Sequence, residues 1–242
     1  MTPAVVLPTY NERENIEPLL RALRHAVPTA RLVVVDDASP DGTGDAADAC
    51  AREWGMIDVI HRPAKAGLAS AYFRGFEHAM SHGCDVLVTM DADFSHDPSV
   101  VPSLLEAISS GADVAIGSRY VDGGGVRNWP IHRRVLSRAA NLYASTLLGL
   151  KIRDCTSGFR AYRADLVSRI WPETGSLDGY AILVDTASRL TRSRASITEV
   201  PITFTDRLHG TSKMSGRIIL ESVRFVTIGG LTRPFRSDRR LR

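Results

Sequence analysis

The sequence predicts an α/β fold with a mostly parallel central sheet covered by helices. Two observations predict it. Five short β-branched runs alternate with longer stretches of helical period, and each run is followed at once by polar, glycine- or proline-containing residues. A length of 242 residues, 44 % apolar and 24 % charged, is ordinary globular composition with room for a sizeable core, and it excludes a disordered, collagen-like or disulfide-stapled chain.

The elements follow in order. Ala4–Leu7 is an apolar run stopped by Pro8, so it is read as a strand, and Asn15–Val27 repeats apolar residues at helical spacing. Leu32–Val35 is a second strand and Asp41–Trp54 a second helix, opened by turn residues. Asp58–His61 then pairs with Gly67–His82, Val86–Met90 with Pro98–Ser109, and Val114–Gly117 closes the series. After Gly117 the rhythm changes. A glycine run, Gly123–Gly125, and Pro130 lead into a long helical pattern, Ile131–Leu148; an irregular stretch, a helix Tyr180–Arg192 and a late strand Ile197–Phe204 follow. Residues 1–120 are expected to form a nucleotide-type half and 120–230 an elaboration that completes the site, both within one domain over 1–230, with a basic tail over 231–242.

The net charge is +3, too small a surplus for a dedicated nucleic-acid binder, and none is expected as a partner. Its distribution is uneven. Residues 233–242 hold five arginines against Asp238, hence +4, and from Gly123 to Arg153 there is no acid but six cations: Arg127, Arg133, Arg134, Arg138, Lys151 and Arg153. Both segments suit an anionic partner or a solvated face. Cys50, Cys84 and Cys155 are odd in number and widely spaced, which predicts no disulfide framework. No run approaches the roughly 18 apolar residues of a membrane span, and no leader is evident, so a soluble or peripheral protein is expected.

In open α/β sheets ligands bind at the carboxyl ends of strands, and four such ends carry chemistry. The first is Pro8-Thr9-Tyr10-Asn11-Glu12: an aromatic to stack on a base and a carboxylate to accept from it, with Asn11 equally suited to capping the next helix. The second, Asp36 to Gly44, contains Gly42-x-Gly44-x-x-Ala47, which matches a dinucleotide fingerprint. Charge argues against that match: Asp36, Asp37, Asp41 and Asp45 would repel a pyrophosphate and suit ribose hydroxyls or helix starts instead.

The fourth run delivers Asp91-Ala92-Asp93. Two carboxylates side by side are what Mg²⁺ or Mn²⁺ needs when substrate phosphates fill the rest of its shell. A phosphatase nucleophile also sits in such a motif, but its companion motifs are not found. The fifth run ends in Gly117-Ser118-Arg119-Tyr120. Arg119 and Arg133 flank the glycine run, and guanidinium forks match phosphate oxygens. A further loop, Asp206 to Met214, adds Arg207 and Lys213.

Together, Pro-Thr-Tyr-Asn-Glu (8–12), Asp-Asp-x-Ser-Pro-Asp-Gly-Thr (36–43), Asp-Ala-Asp (91–93), Gly-Ser-Arg-Tyr (117–120), Asn-Trp-Pro (128–130) and Asp-Arg-x-x-Gly-x-Ser-Lys-Met (206–214) resemble the inverting family 2 glycosyltransferases of GT-A fold. Within that family the sequence is most similar to the dolichol- or polyprenol-phosphate mannose synthases, particularly the single-domain actinobacterial type. The resemblance implies helices on both faces of the sheet and mannose transfer from GDP-mannose to a polyprenyl monophosphate. It implies that Pro8, Tyr10, Glu12, Val35 and Asp37 hold the nucleoside, and that Asp91, Ala92 and Asp93 lie at the diphosphate. Asp91 and Asp93 would bind Mg²⁺ or Mn²⁺. Arg119 and Arg133 would receive the acceptor phosphate, with Asp93 and Arg119 catalytic, and Arg207 with Lys213 would close over the donor phosphates. Two positions depart from relatives: Ala181 to Asp185 replaces Phe-Gln-x-Glu, and Ser95 stands where some carry Gln.

A phosphate monoester has its second pKa near about 6, so the acceptor is already nucleophilic at neutral pH and no general base is expected. The acid-free segment would form an acceptor funnel. Ile218–Leu231 and the arginine tail would lie at an interface or stay solvated, placing the protein in the cytoplasm, peripheral on the inner face of the cell membrane. Whether a membrane protein recruits it is left open. The rivals are a transferase of UDP-glucose or another nucleotide sugar, and a catalytically idle nucleotide-binding partner.

Overall fold

The computed structural model describes residues 1–171, 180–206, 223, 224 and 226–228. The first half alternates strand and helix as expected: β1 (Pro3–Thr9), α1 (Arg13–Ala26), β2 (Arg31–Asp36), α2 (Thr43–Trp54), β3 (Ile57–His61), α3 (Leu68–Ser81), β4 (Val86–Thr89), α4 (Val101–Ser109) and β5 (Val114–Ser118). A 3₁₀ turn, Pro98–Val100, precedes α4, because Pro98 and Pro102 restrict the first turns and the Asp97 carboxylate accepts from Ser99 N–H. The second half holds β6 (Gly125–Arg127), α5 (Ile131–Leu148), β7 (Arg160–Arg163), α6 (Ala164–Ile170), α7 (Tyr180–Arg192), β8 (Ile197–Pro201) and β9 (Thr203–Thr205).

Seven strands form one sheet in the order β3-β2-β1-β4-β7-β5-β8. All pair in parallel except β7, which runs antiparallel to both β4 and β5. Alternation along each strand sends side chains to two cores. Val6, Val33, Val35, Leu87 and Ile116 pack on the face covered by α3, α5, α6 and α7. Val5, Leu7, Val34, Val88 and Ala115 pack on the face covered by α1, α2 and α4. Helices therefore cover both faces. The sheet also draws on both halves of the chain, since β7 lies between β4 and β5.

Three expectations are corrected. The stretch after α5 is not irregular throughout but contains β7 and α6. The late strand Ile197–Phe204 is two strands: Ile202 turns into the core, and β9 leaves the main sheet to pair with β6. β6 itself is unpredicted, for three residues with two glycines before them carry no periodicity.

Gly75 shows how tightly α3 sits on the sheet. A Cβ there would lie 2.3 Å from Val6 Cγ1, so only glycine permits this approach.

Candidate active site

The parallel strands deliver their carboxyl ends to one edge, so Tyr10, Asp37, Arg62, Asp91 and Arg119 follow β1, β2, β3, β4 and β5 respectively on that edge. Because β7 is antiparallel, its preceding loop, 154–159, reaches the same edge, with Arg160 in register with Thr89 and Ile116.

On the β1–β2 side, acids organise backbone. Asp36 accepts from Thr9 Oγ1 and from the backbone and hydroxyl of Ser39. Asp41 accepts from Thr43 and from the Arg13 N–H; burial pushes its carboxyl up, but these hydrogen bonds outweigh it and hold the pKa below the ordinary value. Asp37, buried, receives Arg62 Nε on one oxygen, and Arg62 is itself braced by Ser70 Oγ at 2.9 Å. The carboxylate of Glu12 accepts from Asn15 at 2.9 Å. Tyr10 is half-buried, and the Lys65 ammonium lies 4.6 Å from its ring centroid. Val35 and Ala92 point into the two cores, so at these positions only backbone can face a ligand.

Asp91 and Asp93 sit on the loop after β4. Asp93 is buried, and its Oδ1 accepts from Ser95 N–H at 3.0 Å. The Ser95 hydroxyl is buried with no hydrogen-bond partner. An orphaned hydroxyl beside the Asp93 carboxylate, on the loop that also carries Asp91, is an oxygen donor set that fits a hard divalent cation. Among the described residues no group of three or more His, Cys, Asp or Glu side chains could hold a metal, so of the described residues Asp91 and Asp93 are the candidate charged ligands. Gly158, on the β7 approach loop, faces this pair: a Cβ there would lie 3.9 Å from Asp91 Oδ1.

The cationic side is built on aromatics. Arg119 is buried; its Nε and Nη2 each reach a different oxygen of Asp154 at 2.7 Å, and Nη2 also reaches Thr156 at 2.7 Å. Burial pushes the Asp154 carboxyl up, but the Arg119 charge and hydrogen bonds prevail and hold it below its ordinary value. Asn141 on α5 anchors this loop through Thr156 and Cys155. Burial pushes the Cys155 thiol up to about 12, so it is inert packing.

Arg133, in the first turn of α5, pairs with Asp206 at 3.0 Å, and its guanidinium lies 4.1 Å from the Trp129 ring centroid. The Arg119 guanidinium is 5.7 Å from the same ring. Trp129 is buried, and its Nε1–H has no partner. Phe204 joins the two sides, with ring contacts to His96 at 5.4 Å and Trp129 at 5.4 Å.

The structure thus brings Tyr10, Glu12, Asp37, Asp91, Asp93, Arg119 and Arg133 to one edge. Arg207, Lys213, the tail 231–242 and most of Ile218–Leu231 lie outside the described residues; 223–224 and 226–228 are helical. Sequence reasoning gave no role to Arg62, Asp154 or Phe204 and quoted Trp129 only within a motif. Asp154 carried no local signal, because its partner is 35 residues away.

A match to Glycosyl transferase family 2 spans residues 4–171. Over 220 residues the chain is 49 % identical to a polyprenol monophosphomannose synthase of Mycolicibacterium smegmatis, covering 90 % of this chain and 83 % of that protein. Over 231 residues it is 49 % identical to an undecaprenyl-phosphate mannosyltransferase of Micrococcus luteus, covering 96 % and 95 %. A mannosyltransferase of Pyrobaculum calidifontis, solved with GDP-Man and Mn²⁺, superposes with a TM-score of 0.64 at 16 % identity, covering 98 % of this chain and 65 % of that one.

Proposed function

The chain belongs to glycosyltransferase family 2 and has the GT-A fold, and from that premise we propose that it transfers mannose from GDP-mannose to a polyprenyl monophosphate with inversion. The observation that carries the reading is one sheet edge holding a carboxylate pair, Asp91 and Asp93, joined through Phe204 to a wall formed by Arg119, Trp129 and Arg133. Two nearly identical substrate problems, holding a diphosphate and holding a phosphate, meet there. The names of the relatives supply the sugar and the lipid.

Pro8, Tyr10, Glu12 and Asp37, with the backbone of Val35, hold the nucleoside; Arg62 orients Asp37. Asp91 and Asp93 hold Mg²⁺ or Mn²⁺, which when bound neutralises the leaving diphosphate. Arg207 and Lys213 add charge to the donor phosphates. Arg119 and Arg133 hold the acceptor phosphate in line behind C1, and the Trp129 N–H adds an uncharged donor beside them. Asp154 fixes the plane of Arg119, so the guanidinium is oriented before substrate arrives and its hydrogen-bonding costs little reorganisation. No helix among the described residues is long and apolar enough to cross a membrane. Exposed Ile131, Val135, Leu136 and Leu142 on α5 support peripheral contact with the bilayer that carries the lipid.

The test incubates the protein with Mg²⁺ or Mn²⁺, a short polyprenyl phosphate, and either GDP-mannose or UDP-glucose. Glycolipid with GDP-mannose alone is expected. Product only with UDP-glucose would reassign the donor, and nucleotide binding without product would make the chain an idle partner.

A further inference from the structure

A cavity of about 560 Å³ opens on the flank of α5 away from Arg133. Its lining includes Arg138, Asn141 and Leu142 of α5, Lys151 and Arg153 of the following loop, and Glu199 of β8. At about 100° per residue, Arg133 lies about 80–180° around α5 from Arg138, Asn141, Leu142 and Ser145, which line this cavity, and buried Ala144 and Leu148 lie between. The cavity therefore lies on a different flank of α5 from Arg133, and it meets the Arg119 wall through Tyr120, which lines it and whose ring centroid is 5.3 Å from the Arg119 guanidinium.

Its charge is one-sided. Three cations face one acid, and both carboxylate oxygens of Glu199 are already engaged, accepting from the backbone N–H groups of Arg153 and Asp154 at 2.9 and 3.0 Å. Asp122 is solvent-exposed and 3.9 Å from Arg153, a distance at which a surface pair contributes little, and the Asp154 carboxylate is taken up by Arg119. The rim is apolar. Leu142 lines the cavity yet is 68 % exposed, and it continues along α5 into Val135 and Ile131, both exposed. An anion held at the cations would have its apolar part lying along that stripe.

We infer that this cavity binds the phosphate headgroup of an anionic membrane phospholipid, with the acyl region against Ile131, Val135 and Leu142. A diester phosphate carries one negative charge at every relevant pH, which two or three cations match, and an amphiphile satisfies the charged floor and the apolar rim together. Such a site gives the protein a fixed orientation on the bilayer, with the Ile131, Val135 and Leu142 stripe of α5 against the headgroup layer. The inference rests on the peripheral-membrane reading given above and is independent of which sugar is transferred.

The experiment is flotation of the full chain with phosphatidylcholine vesicles, with and without 30 mol % phosphatidylglycerol, using about that fraction because it gives a strongly anionic surface. Lys151→Gln/Arg153→Gln should weaken binding to the anionic vesicles about thirtyfold, each lost charge counting about fivefold. Arg52→Gln/Arg192→Gln, which removes the same charge from α2 and α7, should leave it unchanged. Leu142→Ser should weaken it at constant charge. The Lys151/Arg153 variant should keep the wild-type unfolding midpoint.

Equal losses in the two double variants would reduce the effect to net charge and overturn the site. Binding of inorganic phosphate that the same variant abolishes, with vesicle binding intact, would assign the cavity to a soluble anion instead. If the wild-type chain binds no vesicle, the peripheral reading itself fails; if it binds and the variant binds equally, only this inference fails.

Discussion

Arg119 and Asp154 face each other as a buried fork on a fork: Nε and Nη2 of the arginine each hold a different carboxylate oxygen at 2.7 Å, and the Arg119 backbone N–H donates to the same carboxylate at 3.0 Å. Thirty-five residues apart in sequence, the two tie the end of β5 to the loop that enters β7.

Removing one partner of such a pair leaves a buried charge uncompensated, so Asp154→Asn should destabilise the protein by about 3–5 kcal/mol in urea unfolding. The sign with pH follows from the depressed carboxyl of Asp154. Its contribution is present above the unfolded value, near 3.8, and is lost as pH falls through the lower folded value. The gap between wild type and variant should therefore stay constant above about pH 5 and close only below the unfolded pKa; a gap that closes near neutrality would mean another group is responsible.

Asp93→Ala should lower kcat by at least about a thousandfold at saturating divalent metal, because neither the cation nor the leaving diphosphate is then held. The circular dichroism spectrum should not change. Normal turnover in this variant would remove Asp93 from the metal site.

Arg133→Ala should raise the KM for the acceptor about ten- to a hundredfold with the donor KM unmoved, the range expected for hydrogen bonds to a charged group. An equal rise in donor KM would place Arg133 on the diphosphate instead.

Trp129→Phe keeps a ring under Arg133 but deletes the unpartnered N–H. Acceptor KM should rise about tenfold while stability stays level or gains up to about 1 kcal/mol, since a buried donor without a partner has been removed. Lost stability with unchanged KM would show that the indole serves packing alone.

Gly124→Ala tests the turn that precedes β6. A Cβ there would lie 2.6 Å from the Ser118 carbonyl oxygen and 3.0 Å from the Arg119 carbonyl carbon, so backbone must move. A loss of about 1–3 kcal/mol and impaired turnover are expected, with Gly125→Ala, which meets nothing within 4 Å, as the neutral comparison.

The first five strands and the four helices between them were legible because each buries an apolar face of its own period, and that pattern is local. Asp91-Ala92-Asp93 and Arg119 were legible for the same reason: they directly follow buried strands. β7 was not, because Arg160-Ala161-Tyr162-Arg163 looks polar, yet Arg160 is fully buried, donating to the carbonyls of Cys155, Ser157 and Leu183. A charged residue satisfied by distant carbonyls has no hydropathic signature. The acid-free run 123–153 is likewise less bare in space than in sequence, since Asp206 comes to Arg133 and Asp154 lies just past its end, on Arg119.

By itself the sequence determined the α/β class, the edge on which chemistry would gather, and the residue types there, since period and strand-end composition are properties of short segments. Only the tertiary structure decided that β7 enters in the opposite sense, and that choice brings loop 154–159 to the site, sets Asp154 against Arg119 and places Gly158 beside Asp91. The reason is physical: hydrophobic period selects a face, but strand direction and ion-pair partners are settled by packing between segments far apart in the chain.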